Sequence, residues 1–236
     1  MTTLHKKLEV TCHNCGFSTV CFPRGLTREE VSQLEDVVER RKVLRKGEFL
    51  FRAADPFHGL IAIKSGTAKL IYQDEQGEEH ILQVLLPGEV VGFDALADNR
   101  YRCSAQALDT VSYCELPARE ISRICFRIPK MLGEMLRHAS DAITSQCDQT
   151  VFIKKPAEER LAAFLLDLSR RYAFRGFSGE EFSIGLTRQE LGNHLDLALA
   201  TVSRTLKQFE REGWIELDGK RVRILDRDAL SRLVSG

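Results

Sequence analysis

The stretch LTRQELGNHLDLALATVSRTLKQFEREGWIELDGKRVRIL, near the C-terminal end, constrains the fold more than any other. Thr187 is a capping residue with Glu190 three positions on, the reciprocal arrangement that satisfies two free backbone donors at a helix start. Leu191 and Leu195 then fall on one inward face. Asp196-Leu197 breaks the helix, and a second helix runs to about Glu212. Residues 214–225 alternate about Asp218-Gly219, a dipeptide suited to a two-residue hairpin turn. Two short helices joined by a tight turn and followed by a β-hairpin make a winged helix-turn-helix.

The rest of the chain must be a different kind of unit. From Val43 to about Pro117, short apolar-alternating runs (FLF, LIAIK, AKLIY, HILQVLL, VSYCEL) are separated by turn signals at Ser65-Gly66, Gln76-Gly77, Pro87-Gly88 and Asp109-Thr110. Such regular spacing predicts a compact antiparallel roll or barrel. Before it, Thr27 and Glu30 form another capping box, and Val31, Leu34 and Val38 follow at helical spacing. After it, Pro129 to Ile153 reads as a long helix with Leu132, Met135, Leu136, Ala139, Ile143, Cys147 and Thr150 on one stripe. That stripe either covers its own domain or forms a dimer seam between two copies. The run KKPAEERLAAFLLDLSRRY, with proline and acids in its first turn and arginines at its end, is a complete helix.

A helix-turn-helix can place its second helix in a major groove, with the hairpin against the backbone. Candidate DNA-contacting residues are Thr187 and Arg188 at the first helix start, and Ala200, Thr201, Ser203, Arg204 and Lys207 on the second. Arg211 follows one turn later, and Lys220, Arg221 and Arg223 lie on the wing. Arginine's fork fits guanine, and lysines and wing arginines suit phosphates. The competing interpretation is an ordinary helical hairpin with a solvated charged face. Global charge does not decide it: 34 basic residues balance 34 acidic ones, so local placement must carry any nucleic-acid reading. No long apolar run is present, so no membrane span is expected, nor a signal core; a cytoplasmic location follows. Stable disulfides are then not expected. No nucleophile–base pair, phosphate loop or metalloprotease spacing suggests an enzyme.

The segment TCHNCGFSTVC has cysteines 12, 15 and 21 in a C-x2-C-x5-C pattern, and four more cysteines follow at 103, 114, 125 and 147. A zinc site prefers two close pairs, or pairs of Cys and His, and His13 is poorly placed beside Cys12 to join such a site. An iron–sulfur cluster tolerates three ligands on a loop and one distant ligand, because it presents four corners. Incidental cysteines are the plain alternative.

With CHNCGFSTVC stand VVGFDAL, SAQALDTVSYCELP, AEERLAAFLLDLSRRYAFRGFS and TRQELGNHLDLALATVSR. Together they resemble the fumarate-and-nitrate-reduction (FNR) branch of the cyclic-AMP-receptor superfamily of transcription regulators, over about residues 10–230. The resemblance implies an oxygen-labile [4Fe-4S] cluster held by Cys12, Cys15, Cys21 and Cys114. It implies an α+β chain with an N-terminal cluster-binding segment (1–26), an antiparallel β-roll sensory domain (27–128), a dimerisation helix (129–153) and a winged helix-turn-helix (154–236). It further implies a homodimer on pseudo-palindromic double-stranded DNA, with RNA polymerase as a partner through YQDEQGEEHI and AFRGFSGEEF.

Three departures from the family pattern bear on these expectations. Ala200 stands where relatives carry a base-reading glutamate, so the half-site can differ from the family's TTGAT. Ala198 replaces a capping hydroxyl, and Gly16 occupies a position that can be polar beside the second cysteine. The rival expectation is a regulator of the same fold sensing a nucleotide, an organic acid or haem. For a cyclic nucleotide, Phe93 falls where the ribose-binding glutamate would stand, and Cys103 follows Arg102, which leaves that arginine without its usual companions.

Overall fold

The structure is a computed structural model that describes residues 11–40 and 43–235. The first ten residues of the cysteine-rich segment therefore lie outside the described residues.

The capping box at Thr27 is formed, with its hydroxyl accepting from the Glu30 N–H and the Glu30 carboxylate accepting from the Thr27 N–H. It opens helix α1 (Arg28–Glu35), whose Val31 and Leu34 are buried. Eight strands follow: β1 (Glu39–Arg40), β2 (Phe49–Phe51), β3 (Gly59–Ser65), β4 (Ala68–Gln73), β5 (Glu79–Leu85), β6 (Val90–Val91), β7 (Ser104–Ala107) and β8 (Ser112–Pro117). They form two four-stranded antiparallel sheets, ordered β1-β8-β3-β6 and β2-β7-β4-β5. Leu50, Phe51, Ile61, Ile63, Leu85 and Ala105 fill the space between the sheets. The expected roll is present; alternation marks strands such as β7, whereas β3 is buried at five successive positions because both its faces are covered.

Helix α2 (Ala118–Arg127) leads through Ile128 into α3 (Pro129–Phe152), the long helix. Its first turns pack on the roll through Met131 and Met135, which join Phe22, Leu34, Leu60, Leu116 and Ile124 in one core. This corrects one expectation. Met135 lies within the roll's core, with its Sδ 3.4 Å from the Cys125 Sγ, and so does not belong to the exposed stripe. Leu132, Leu136 and Ile143 do face outward, at 53%, 63% and 65% exposure, and Cys147 and Thr150 are exposed beside them. Ala139 is half-buried. Helical geometry explains the split: the Met131–Met135 pair defines an inward face at a spacing of four, which leaves Leu132, Leu136 and Ile143 turned away.

The C-terminal unit comprises α4 (Ala157–Phe174), β9 (Glu181–Ser183), α5 (Arg188–Leu195), α6 (Leu199–Arg211), β10 (Ile215–Asp218), β11 (Arg221–Ile224) and α7 (Arg227–Ser235). The wing is a three-stranded sheet ordered β10-β11-β9. Its core of Leu161, Leu165, Leu168, Leu191, Val202, Leu206 and Phe209 is continuous with Ile81, Val84, Leu86 and Leu108 of the roll.

Candidate DNA interface and cysteine pocket

The two reading helices are fixed by local chemistry. At Thr187 the hydroxyl accepts from the Glu190 N–H, and the Glu190 carboxylate accepts from the Thr187 N–H at 2.7 Å. Between α5 and α6 the chain turns at Asp196, which adopts a left-handed conformation with φ 52°. The turn brings the Leu197 carbonyl so close to Gly192 that a Cβ there would lie 2.5 Å from its oxygen. Only glycine fits that approach. Helix α6 begins at Ala198 without a side-chain cap.

Val202, Thr205, Leu206 and Phe209 bury one face of α6. Ala200, Arg204 and Lys207 are exposed on the other, with Thr201 and Ser203 half-buried at its border. The sequence-derived reading face is thus free and continuous. Arg188 is half-buried, and its Nη1 has no hydrogen-bond acceptor among the described residues.

The wing departs from the simple picture of free cations. Lys220 turns back, its ammonium donating to the Gly185 carbonyl. Arg221 pairs with Glu181 at 3.2 Å, and Arg223 with Glu181 and Glu216 at 3.0 Å each. Hairpin register explains this: Arg223 lies opposite Glu216 on one neighbouring strand and Glu181 on the other. The sequence reading missed these partners because strand pairing across 181–223 is not local.

The reading unit is also fastened to the roll. Lys69 Nζ donates to Glu190 Oε1 at 2.7 Å, and the Asn193 amide spans β5, accepting from the Ile81 N–H at 2.7 Å and donating to the Glu79 carbonyl at 2.6 Å. Glu89 receives both Arg171 of α4 and Arg175 just after it, at 2.6 Å each.

At the other end, Cys12, Cys15, Cys21 and Cys114 line one pocket, together with Phe17, Phe22, Arg40 and Lys64. Three of the cysteines come from a tightly turned loop that begins with a 3-10 turn at Cys12–Asn14. The fourth lies on β8 in the middle of the sheet, between Arg40 of β1 and Ala62 of β3 in register. Burial, followed by the neighbouring Cys114, pushes the Cys12 thiol up to about 12. Cys21 is pushed up by burial and by Cys114, against a backbone hydrogen bond. At Cys114 burial again raises the thiol, while the charges of Lys64 and Arg40 oppose it. These thiols influence one another and resist ionisation unless positive charge is supplied.

The remaining cysteines lie elsewhere. Cys103 is buried, Cys125 contacts Met135, and Cys147 is exposed on α3. His13 turns away from the thiols: its Nε2 lies 3.0 Å from the Ser32 Oγ, and its backbone N–H donates to Glu35 at 3.2 Å. This latches the cysteine loop to α1. Among the described residues no three of His, Cys, Asp or Glu converge closely enough for a single metal ion. Four thiols spread around a pocket suit a polynuclear group with four corners better than one ion.

The nucleotide alternative finds little support in the roll. Phe93 starts a 3-10 turn, and the Tyr101 ring fills the core, stacked on Phe51 at 3.9 Å. Arg102 sits on the surface, held by Asp98.

Residues 41–127 match the cyclic nucleotide-binding domain family, and residues 159–233 match the Crp-like helix-turn-helix domain family. Over 225 residues the chain is 40% identical to the fumarate and nitrate reduction regulatory protein of Escherichia coli (strain K12), covering 95% of this chain and 90% of that protein. The chain belongs to the FNR branch of the CRP/FNR transcription regulators. Electron transport regulator A of Shewanella oneidensis is likewise 40% identical, with the same coverage. The transcriptional activator protein anr of Pseudomonas aeruginosa is 39% identical over 226 residues, covering 95% of this chain and 93% of that one. The fold has a solved counterpart in FixK2 from Bradyrhizobium japonicum, with TM-score 0.76 and 23% identity over 84% of this chain and 97% of that one. This FNR-branch protein is therefore a DNA-binding transcription regulator, of a family whose members bind DNA and dimerise. No helix among the described residues is long and apolar enough to cross a membrane.

Proposed function

We propose that Cys12, Cys15, Cys21 and Cys114 hold an oxygen-labile [4Fe-4S] cluster that governs dimerisation and binding to pseudo-palindromic promoter sites under anaerobic conditions. One observation carries the reading: thiols nearly a hundred residues apart in sequence line a single pocket that holds none of the other three cysteines. Bound there, such a cluster supplies an oxygen-sensitive tie between a short loop and the middle of a sheet.

The protein's own side chains carry the consequence outward in two directions. Phe22, immediately after Cys21, packs edge-on against His138 of α3, with ring centroids 6.4 Å apart. Phe17, inside the loop, meets Phe177 of the C-terminal unit at 5.8 Å, and Phe177 continues to Tyr172. An ordered loop therefore supports both α3 and the unit that holds α6. Leu132, Leu136 and Ile143 form the seam with a second copy, with Ala139, Cys147 and Thr150 beside them. In each reading head Arg204 is the main base-reading residue, with Ala200, Thr201, Ser203 and Lys207 around it, while Thr187, Arg188 and Lys220 face the backbone. The loops 72–81 and 173–182 offer exposed Tyr72, Phe174 and Phe177 as contacts for RNA polymerase.

Such control requires that the cluster bind the dimer-competent state better than the other. Anaerobic purification followed by iron and sulfide analysis tests the reading. About four of each per chain are expected, with visible absorbance and a sedimenting dimer, both lost in air. Iron-free protein that dimerises and binds DNA equally well with and without oxygen refutes it.

A further inference from the structure

Two cations share the pocket wall with the thiols, and the way the fold delivers them is specific. Arg40 occupies the strand position directly across from Cys114, so both side chains lie on the same face of the sheet. Lys64 is the extra residue of a β-bulge: Ile63 pairs with Tyr113 and Ser65 with Ser112, leaving Lys64 between them. A bulge re-aims the side chain it carries, and here Lys64 lines the cysteine pocket. Strand alternation also puts Lys64 on the face of Ala62, which pairs with Cys114.

We propose that Lys64, seconded by Arg40, is the charge-compensating residue of the cluster, setting how tightly its electrons are held. The inference rests on the cofactor reading above. A [4Fe-4S]2+ core with four thiolates is dianionic, and in a largely apolar pocket nearby cations stabilise the more negative member of any one-electron couple. Glu35 acts in the opposite sense, since it lies 3.8 Å from Arg40 and offsets part of its charge. Lys64 should therefore outweigh Arg40.

The test is the midpoint potential of the cluster in anaerobically reconstituted full-length protein. Lys64→Gln should lower it, by as much as about 59 mV for a tenfold change in a one-electron equilibrium. Arg40→Gln should lower it less, and the double variant most. Lys64→Arg should stay near the parent, because it conserves the charge while changing the shape. Glu35→Gln should raise the potential, a sign that mere loosening of the loop would not produce. An unchanged potential in the double variant overturns the proposal, as does a Lys64→Arg shift as large as that of Lys64→Gln. Should the double variant assemble no cluster, Glu35→Gln decides: an upward shift supports the assignment, and no shift or a downward one overturns it. A parent protein that takes up no cluster refutes the cofactor reading itself, before any potential is measured, so the two failures are distinct.

Discussion

The cysteine pocket and the reading head are built on opposite principles. In the reading head most structural demands are met locally: a capping box opens α5, Gly192 lets the turn close, and Glu181 and Glu216 neutralise the wing arginines. Its recognition residues are left over, exposed on a finished scaffold. The pocket is unfinished. It gathers thiols whose ionisation burial opposes, on a loop fastened to α1 through His13, to α3 through Phe22 and to the C-terminal unit through Phe17. The difference teaches where control resides. The head is complete in protein contacts, its own and those it makes with the roll, whereas the pocket needs a partner to complete it, which makes the pocket the natural point of control.

The sharpest way to break this contrast is to remove one corner of the pocket. Cys114→Ser should abolish cluster retention, because each corner needs a thiolate that serine replaces poorly. Serine at Cys103, Cys125 or Cys147 should leave iron and sulfide unchanged. Full cluster content in Cys114→Ser protein would reassign the fourth ligand.

Ile143→Glu tests whether the signal leaves through α3. At 65% exposure, Ile143 contributes nothing to the core of one chain, so folding should be preserved. Two like charges facing each other across a two-fold seam should weaken the dimer by about two orders of magnitude or more, following the costs of unpaired burial. Sedimentation under anaerobic conditions should give an iron-loaded monomer. An intact dimer would place the interface elsewhere.

These elements differ in how far they could be read from sequence. Capping boxes at Thr27 and Thr187 are local signals, and the structure forms both; the hairpin also forms, but its two-residue turn is Gly219-Lys220, one position later than expected, because Asp218 pairs with Arg221. The pairing of Cys114 with a loop nearly a hundred residues earlier became legible only through a family resemblance, since spacing alone left zinc, a cluster or incidental thiols open. The parts missed are those that depend on register. Nothing in the sequence announces that Lys64 sits in a bulge or Arg40 opposite Cys114, because a one-residue slip would turn either away. Met135 reads as part of the dimerisation stripe because a spacing of three or four fits both faces of α3, and only its place in the core with Ile124 and Phe22 separates them.

His138 sharpens the comparison from the packing side, since it joins the cysteine loop to α3. Burial, then the adjacent Arg137 charge, lowers its pKa to about 4; Glu134 and Asp141 oppose the shift and Arg24 adds to it. A histidine depressed in the folded state stabilises fully above the unfolded value near 6.5, and that contribution is lost as pH falls from there towards 4. Parent protein should therefore lose roughly 2 kcal/mol more stability over that interval than His138→Gln. Denaturant melts at pH 7 and pH 4.5 measure it. Equal losses in the two proteins would mean that His138 is protonated without cost and makes no tight contact.

On the reading head, Arg204→Ala should cost roughly 1–3 kcal/mol at the best site and flatten preference at one guanine. Ala200 offers only a methyl, so the neighbouring base pair should be tolerated loosely, and Ala200→Glu should sharpen selection there. Half-sites randomised at both positions, bound anaerobically at one fixed salt concentration, measure both effects. If the parent protein already selects one G·C orientation at the Ala200 position as strongly as at the Arg204 guanine, Thr201 becomes the reader instead.

The smallest effect expected is on the wing, and it follows from how completely that region satisfies itself. A free lysine on a phosphate contributes about one released counterion to the salt dependence of binding. Lys220 is not free: its ammonium donates to the Gly185 carbonyl, and reaching a phosphate requires giving up that bond. Arg221 and Arg223 are likewise occupied by Glu181 and Glu216. Lys220→Ala should therefore weaken all sequences alike and lower the salt slope by clearly less than about one unit. Glu181→Gln should do the reverse, releasing Arg221 and leaving Arg223 with Glu216 alone, and so steepening the slope. Titrations of one DNA site at several salt concentrations separate these outcomes. A full unit lost in Lys220→Ala would show that the Gly185 bond is surrendered on binding, and the wing would then depend on its ligand as the cysteine pocket does.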